Sequence, residues 1–374
     1  MNKKLLTLAI AGALVPFALP VTAMAGVTIS GYAHVSVDSL DNGATGVNPS
    51  RGGSYISSNA SNIVISGDTD IGDGLKALFS AQTYLSLGSN NSPPPGNPAG
   101  FTYDQFSNGN TYAGIEGGFG TVAAGRNDSP MKQLGRDIDL FGNEIGDSRN
   151  IISGPGGYGF DQRPGHTLFY VSPDMSGVTV KAAYTLENSD LSTGVGLSGT
   201  PTQMPSRKGS ESSVSAVYSQ GIVLGGLAYE YHSASIYGTS NAESAVRAAG
   251  AINFDPVRVT ALYQRDSNLE GVSSASLNVW GVGVAYTFIP TYAVKAQYYR
   301  AGSIGGTNNT GADMYAVGVT HTFSKNAEAY LDYAKTSNNS SASYSAFAGG
   351  HGNNINGGAG SDPHGVSLGM IYTF

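Results

Sequence analysis

Strict alternation of apolar and polar residues is the feature that most limits how this chain can fold. Between Val27 and Asp38, valine, isoleucine, glycine and alanine alternate with serine, threonine, tyrosine and histidine. A period of two places these two sets of side chains on opposite faces of a β-strand. After Gly26, no stretch reaches the roughly 18 consecutive apolar residues of a membrane helix. The sequence therefore predicts an all-β protein.

Sixteen segments with this alternation follow one another along the chain. They are residues 27–38, 58–68, 74–87, 110–116, 119–126, 165–173, 177–188, 210–219, 222–232, 244–254, 257–266, 275–288, 292–301, 312–323, 327–336 and 365–374. Tight turns such as Gly117-Gly118 alternate with long polar loops such as 189–209. This pattern is typical of an antiparallel transmembrane barrel with short periplasmic turns and long external loops. Sixteen strands also leave room for an aqueous channel, whereas about eight would be filled by side chains.

Composition supports a barrel in lipid over a soluble domain. Charged residues make up 12% of the chain, about half of the roughly 25% of a soluble protein. A closed barrel leaves no unpaired backbone in hydrocarbon. The chain has no cysteine, which excludes disulfides and thiolate metal sites, and its net charge of -7 argues against nucleic-acid binding.

The first 25 residues are predicted to be a signal peptide. Lys3 and Lys4 precede an apolar stretch that ends at Ala23-Met24-Ala25, a small-x-small cleavage pattern. An uncleaved anchor would have to contain Pro16 and Pro20, which break helices. We therefore expect cleavage after Ala25 and a single barrel domain over residues 26–374.

Several short segments, taken in order, resemble a known family. They are Ser61–Gly67 with Asp70–Ala77, Gly114-Ile115 with Phe119–Val122 and Gly125-Arg126, Tyr170–Pro173, and Ser324–Tyr330. Together they resemble the general diffusion porins of Gram-negative bacteria, in particular the beta-proteobacterial and neisserial type. The resemblance implies a homotrimer in the outer membrane, with a third external loop folded into each barrel. It also implies lipid, lipopolysaccharide, the barrel-assembly machinery, and small hydrophilic solutes and ions as partners.

In this chain the inward loop would be residues 127–164, the longest gap between predicted strands. We expect its charged side chains to line a constriction: Lys132, Arg136, Asp137, Asp139, Glu144, Asp147 and Arg149. Alternation alone would place the preceding Arg126 toward lipid, which costs roughly 2 to 4 kcal/mol at mid-membrane. The strand is therefore predicted to end near Gly125, so that Arg126 turns into the pore mouth. The alternative is a rim arginine that meets lipid headgroups.

Four polar residues are predicted to face the lumen from the barrel wall: Asn62, Lys76, Gln82 and Lys181. Asn62 and Phe169 stand where the resembled porins often carry arginine, and Gln82 where they often carry glutamate. The cationic wall is thus thinner than usual. Because residues 127–164 contain 4 basic and 6 acidic side chains, we expect a weak preference for cations.

The predicted function is passive diffusion of ions and small hydrophilic solutes, without enzymatic chemistry. Two alternatives are a channel with one preferred substrate and an adhesin that acts through its external loops. Gly365–Gly369 matches the GxSxG pattern of hydrolases, but it lies within an alternating strand and not in a strand-turn-helix elbow. The six histidines have no metal-ligand spacing, so neither a metal nor a cofactor is expected.

The last predicted strand must pair with the first to close the barrel. Phe374 and Tyr372 lie on its lipid face, and a terminal phenylalanine resembles the assembly signal of outer-membrane barrels. The alternative role is an aromatic belt residue only. We predict that deleting Phe374 lowers the yield of assembled barrel in cells far more than it weakens barrels refolded in detergent. Equal losses in both settings would leave only the anchoring role.

Overall fold

The computed structural model describes residues 26–44, 52–87, 107–154, 159–188, 193–195, 201–203, 209–237, 239–355 and 357–374. Its strands are β1 (Gly26–Asp41), β2 (Gly52–Ser58), β3 (Asn62–Gly72), β4 (Leu75–Tyr84), β5 (Thr111–Gly117), β6 (Gly120–Arg126), β7 (Thr167–Val171), β8 (Val178–Asn188), β9 (Thr193–Val195), β10 (Pro201–Gln203), β11 (Gly209–Gln220), β12 (Val223–His232), β13 (Glu243–Phe254), β14 (Val257–Ser267), β15 (Ser276–Ile289), β16 (Tyr292–Ala301), β17 (Ala312–Ser324), β18 (Ala327–Asn338) and β19 (His364–Thr373). The helices are α1 (Pro130–Arg136), α2 (Arg149–Ile152) and α3 (Ala234–Tyr237), and a 3-10 helix covers Leu269–Gly271. Within these ranges, none of the helices has the length and apolarity needed to cross a bilayer. The predicted signal peptide lies outside the described residues.

Antiparallel pairing of successive strands closes the sheet into a barrel. β1 pairs with β19 on one side and with β2 and β3 on the other. Because β2 and β3 lie end to end along β1, they count as one barrel strand, and β9 and β10 form a separate hairpin. The described residues thus form a closed barrel of sixteen antiparallel strands, which confirms the predicted fold.

The second barrel strand differs from the predicted range of 58–68. It begins at Gly52 and is interrupted between β2 and β3, where Ala60 has a φ of 53°. The Ser61 hydroxyl compensates for the missing ladder bonds, since it accepts from the His34 amide and donates to the His34 carbonyl, both at 2.9 Å. The strand can therefore change course without leaving the backbone of β1 unsatisfied.

The two faces of the barrel have the predicted character. Large apolar side chains on the outer face are exposed, among them Leu227 at 62%, Leu368 at 58% and Val282 at 47%. On the inner face of β1, His34, Ser36 and Asp38 are buried. Apolar residues thus face outward on the strands, an arrangement suited to lipid contact.

The barrel closes at the pairing of the first and last strands. Phe374 and Gly31 exchange two backbone hydrogen bonds of 3.0 Å each, just beyond the β1–β19 register that starts at Tyr32 and Thr373. The rings of Tyr372 and Phe374 are exposed, with centroids 6.5 Å apart. The predicted strand pairing is confirmed, whereas the assembly role of Phe374 stays a prediction.

Candidate functional site

The segment 127–164, hereafter the inner segment, packs against the inner wall of the barrel with its described residues, 127–154 and 159–164. Its helix α1 starts at Pro130, and the Ser129 hydroxyl accepts a hydrogen bond of 3.2 Å from the Lys132 amide as an N-cap. α1 contacts β8, β11, β12 and β13. The two ends of the inner segment are joined by backbone hydrogen bonds, including Ser129 N to Gln162 O at 3.1 Å. The segment therefore leaves the barrel wall after β6, runs along the inside of the barrel, and returns to the wall beside the point where it left.

Apolar side chains of the inner segment form the core of the protein inside the barrel. The fully buried ones are Met131, Leu134, Ile138, Phe141, Ile145, Ile151, Ile152 and Phe160. Most of them pack against inward-facing residues of the strands, such as Leu262, Val279 and Met314. Burial of this much apolar area stabilises the segment inside the barrel.

Arg247 on β13 is the central polar anchor of the inner segment. Its guanidinium makes a bidentate ion pair with Asp161, with N···O distances of 2.6 and 3.1 Å, and it is completely buried. It also donates to the carbonyl of Met131 at 2.9 Å and to Gln264 Oε1 at 2.7 Å. Gln264 in turn donates to the carbonyl of Ile152 at 2.9 Å. Two neighbouring strands thus bind three separate points of the segment.

A second anchor comes from β16. Gln297 donates to Asp139 Oδ1 at 3.0 Å and to the carbonyl of Gly146 at 2.8 Å. Lys295 forms an ion pair with Glu144, and its ammonium lies 4.3 Å from the centroid of the Phe141 ring. The middle of the inner segment is therefore tied to the wall opposite its ends.

The ends of the inner segment are joined by a buried cluster around Asp128. Its carboxylate lies 2.9 Å from Lys132 Nζ and 2.8 Å from Arg163 Nε. Burial alone would raise the pKa of Asp128, but the two adjacent cations hold it well below its usual range. Burial lowers the pKa of Lys132 to about 8, despite the favourable contact with Asp128. Asp128 and Lys132 are both charged at neutral pH. The cluster therefore holds the two ends of the inner segment together through charge-assisted hydrogen bonds.

The loop between β18 and β19 also folds inward. Phe347 is completely buried beside Phe141 and Ile145. The Ala348 amide donates to Asn150 Oδ1 at 2.7 Å, and Gly146 N donates to Ala346 O at 2.8 Å. Sequence reasoning missed this second inward loop, because its glycine- and serine-rich composition indicates an exposed external loop.

The structure gives the expected constriction residues several different environments. Asp137 is exposed, Arg136 is half-buried, and Arg136 Nη1 donates to Asn143 Oδ1 at 3.3 Å. Lys132, Glu144 and Asp147 are buried in ion pairs, and Arg149 pairs with Asp147 at 2.6 Å. Asp139 accepts hydrogen bonds from Ser148 and Gln297. Most of the predicted pore charges are therefore held in ion pairs or hydrogen bonds, and three of them, Lys132, Glu144 and Asp147, are buried.

Arg126 is the last residue of β6, one position beyond the predicted strand end at Gly125. It is half-buried, and its Nη1 donates to the carbonyl of Arg163 at 3.1 Å. Gly125 has a φ of 150°, and a Cβ there would lie 2.3 Å from the carbonyl oxygen of Thr111. This irregularity ends the alternation and lets Arg126 bind the returning end of the inner segment.

Of the four predicted wall residues, only Lys181 bonds to the inner segment among the described hydrogen bonds and ion pairs. Its Nζ donates to Gln133 Oε1 at 2.7 Å. Gln82 Oε1 accepts from the Asn110 amide at 3.0 Å, and Asn62 Nδ2 donates to the carbonyl of Ala60 at 3.0 Å. Lys76 is exposed and pairs with Asp68 at 3.5 Å, near the turn end of the barrel. Sequence reasoning missed Arg247, Lys295, Gln297 and Arg258, although alternation places each of them on an inner face.

Three basic residues surround the exposed end of α1, and we refer to Arg136, Lys181 and Arg258 as the basic cluster. Arg258 Nη2 donates to the carbonyl of Asp137 at 2.7 Å. Partial loss of hydration inside the barrel raises the pKa of Asp137, although its side chain is exposed, and all three members of the basic cluster oppose this rise. With one carboxylate among three cations, this part of the lumen has an excess of positive charge.

Comparison with known proteins identifies the family. The model of the Gram-negative porins matches residues 7–341. The chain belongs to this family. Among curated relatives, it is 28% identical over 197 residues to the major outer membrane protein P.IB of Neisseria gonorrhoeae, covering 52% of this chain and 51% of that protein. The match thus spans about half the length of that relative. The family and its relatives place the porin in the outer membrane.

Solved structures show the same fold. The anion-selective porin from Comamonas acidovorans superposes with a TM-score of 0.73 at 20% identity, covering 94% of this chain and 100% of that one. The trimer form of OmpT from Vibrio cholerae gives a TM-score of 0.58 at 12% identity, covering 93% and 99%. These similarities confirm the sixteen-stranded porin barrel.

Proposed function

We propose that this porin forms a water-filled channel through which ions and small hydrophilic solutes cross the outer membrane by passive diffusion. The observation that carries the proposal is a closed barrel with an apolar outer face, whose inner segment is bonded to β13, β14 and β16 of the wall. Sixteen strands enclose a lumen wider than side chains can fill. The inner segment then narrows the lumen without blocking it. Solutes need only fit the narrowed section, and no chemical step is required.

Conductance of the purified porin in planar bilayers tests this proposal. We expect a linear current–voltage relation that tolerates many small solutes. Saturable conductance blocked by one solute would instead favour a substrate-preferring channel. A folded protein without conductance would favour the adhesin.

We propose the partners of this porin from its membership of the family. The name of the Vibrio cholerae neighbour describes a trimer form, and we propose a homotrimer here as well. Lipid and lipopolysaccharide would contact the apolar outer face, and the barrel-assembly machinery would insert the chain. Mobility of unheated protein in a gel would distinguish a trimer from a monomer.

The charge that solutes meet in the lumen differs from the charge counted along the sequence. Asp128, Glu144, Asp147 and Asp161 are each neutralised by an ion pair in a buried position. The 6 acidic and 4 basic residues of the inner segment therefore do not give a cation-attracting surface. At the exposed end of α1 the basic cluster outnumbers Asp137. We infer that the narrow section favours anions weakly, in place of the cation preference expected from sequence.

Neutralising the basic cluster should shift ion preference toward cations. One charge near 5 Å from a permeating ion changes its energy by up to about 1 kcal/mol in water. The triple variant Arg136→Gln, Lys181→Gln, Arg258→Gln should therefore change the anion-to-cation permeability ratio by about two- to fivefold or more. The measurement is the reversal potential in a salt gradient.

Arg265→Gln provides a control that removes a positive charge outside the lumen, because Arg265 lies exposed on the outer face of β14. Its reversal potential should equal that of the wild-type porin. An equal shift in the control and the triple variant would refute a role for the basic cluster.

A further inference from the structure

Three glutamate side chains and one histidine side chain meet on the inner face of the barrel, near the end that carries the long loops. Glu230 and His232 alternate along β12 and so lie on one face. The strand register places Glu211 of β11 and Glu243 of β13 directly opposite His232, one on each side. All four side chains are buried, with at most 2% exposure. Three carboxylates therefore surround one imidazole without access to bulk water.

Two of the glutamates lie near one ring nitrogen of His232, and the third lies near the other ring nitrogen. Nε2 lies 3.2 Å from Glu230 Oε1 and 4.0 Å from Glu211 Oε2. Nδ1 lies 3.5 Å from Glu243 Oε1, and the other oxygen of Glu243 accepts from the Glu270 amide at 2.7 Å. Metal-bound histidines commonly place one nitrogen on the ion and the other on a carboxylate, which fixes the ring. The arrangement here follows that division, with Glu243 at the longer, ion-pair distance from Nδ1.

The spacing of these atoms is within roughly 1 Å of that of metal ligands. Ligands about 2.0 to 2.2 Å from a tetrahedral ion lie roughly 3.3 to 3.6 Å from one another. One ligand atom each from Glu211, Glu230 and His232 can be chosen so that all three lie within 4.8 Å of one another. Glu230 Oε2 is buried without a hydrogen-bond partner. A buried carboxylate oxygen in this condition is costly unless a cation or proton satisfies it.

The surrounding charges strengthen the argument. The buried Arg247 is already bound by both oxygens of Asp161. Asp266 adds a further buried carboxylate on β14. Even with His232 and Asp266 both protonated, the remaining four carboxylates and two cations leave an excess of negative charge. Burial of that excess favours a bound divalent cation.

We propose that Glu211, Glu230 and His232 Nε2 bind a divalent transition-metal ion, and that Glu243 orients the imidazole through Nδ1. An imidazole ligand suits zinc better than calcium or magnesium. The ring of Phe160 stacks on His232 with centroids 4.8 Å apart. A bound ion would therefore stiffen the contact between β12 and the returning end of the inner segment.

Zinc binding to the chelator-stripped, folded porin tests this proposal. Equilibrium dialysis with metal analysis should find one tight zinc per chain. Glu230→Gln preserves side-chain shape and should weaken zinc binding by at least about 100-fold, whereas Glu243→Gln should weaken it by about 10- to 100-fold as an orienting partner. Bound Co²⁺ should give visible absorption bands that Glu230→Gln removes.

His321→Gln serves as the matched control, because His321 lies at the turn end of the barrel beside Tyr292. Its zinc affinity should equal that of the wild-type porin. Heat-dependent gel mobility confirms that each variant is folded. Equal zinc binding by wild-type and Glu230→Gln proteins would overturn the proposal, and so would a wild-type protein that binds no zinc. In the second case a proton shared between carboxylates would account for the buried group.

Discussion

Removal of residues 137–149 should raise the single-channel conductance of the porin by about twofold, since conductance follows the open cross-section of a water-filled lumen. This stretch contributes Ile138, Phe141 and Ile145, which are buried against the barrel wall. It also contains Glu144, the partner of Lys295. The strand ladders contain none of these residues, so the barrel should still assemble. Planar-bilayer recordings measure the conductance.

A shorter deletion, residues 306–309 in the loop between β16 and β17, is the control. Its backbone bonds to loop residues, as in Ser341 N to Asn309 O at 2.9 Å. Its conductance should stay close to that of the wild-type porin. If deletion of residues 137–149 left conductance unchanged while heat-dependent gel mobility showed a folded barrel, the inner segment would not limit the flow.

The barrel could be predicted from sequence because each of its determinants is local. A period of two defines the faces of a strand, and tight turns pair each strand with its neighbour in the chain. Register then follows from the turns, as in the pairing of Gln220 with Val223. The interruption between β2 and β3 could not be predicted, since it depends on the left-handed Ala60 and on Ser61 bonding to a different strand.

The candidate site was less predictable, because its properties depend on which side chains meet. Sequence reasoning identified the inner segment and its charges, but a count of charges cannot show that Asp128, Lys132 and Arg163 neutralise one another. The spacing of residues along the sequence could not reveal the proposed metal site, for the same reason. Glu211 and Glu243 are distant from His232 along the chain, and only the register of three strands places them together.

Replacement of Arg247 by methionine should lower the free energy of unfolding by about 3 to 5 kcal/mol, the usual cost of breaking a buried ion pair by removing one partner. Asp161 would remain buried without its bidentate partner, and the carbonyl of Met131 would lose a donor. Unfolding by urea can be followed through Trp280, the single tryptophan of the chain, which lies on the outer face of β15. The returning end of the inner segment should also loosen, which would increase current noise in the open channel.

A double variant separates the ion pair from the shape of the arginine. Asp161→Asn removes the carboxylate charge that Arg247→Met leaves buried without a partner. The combination of Asp161→Asn with Arg247→Met should therefore recover part of the lost stability. Arg265→Met, which removes an exposed arginine from the adjacent strand, should change stability by no more than about 0.5 kcal/mol. A double variant no more stable than Arg247→Met alone would mean that Arg247 acts through packing and its bond to Gln264. Recovery would show that the buried charge pair with Asp161 holds the inner segment against the wall and so maintains the width of the pore.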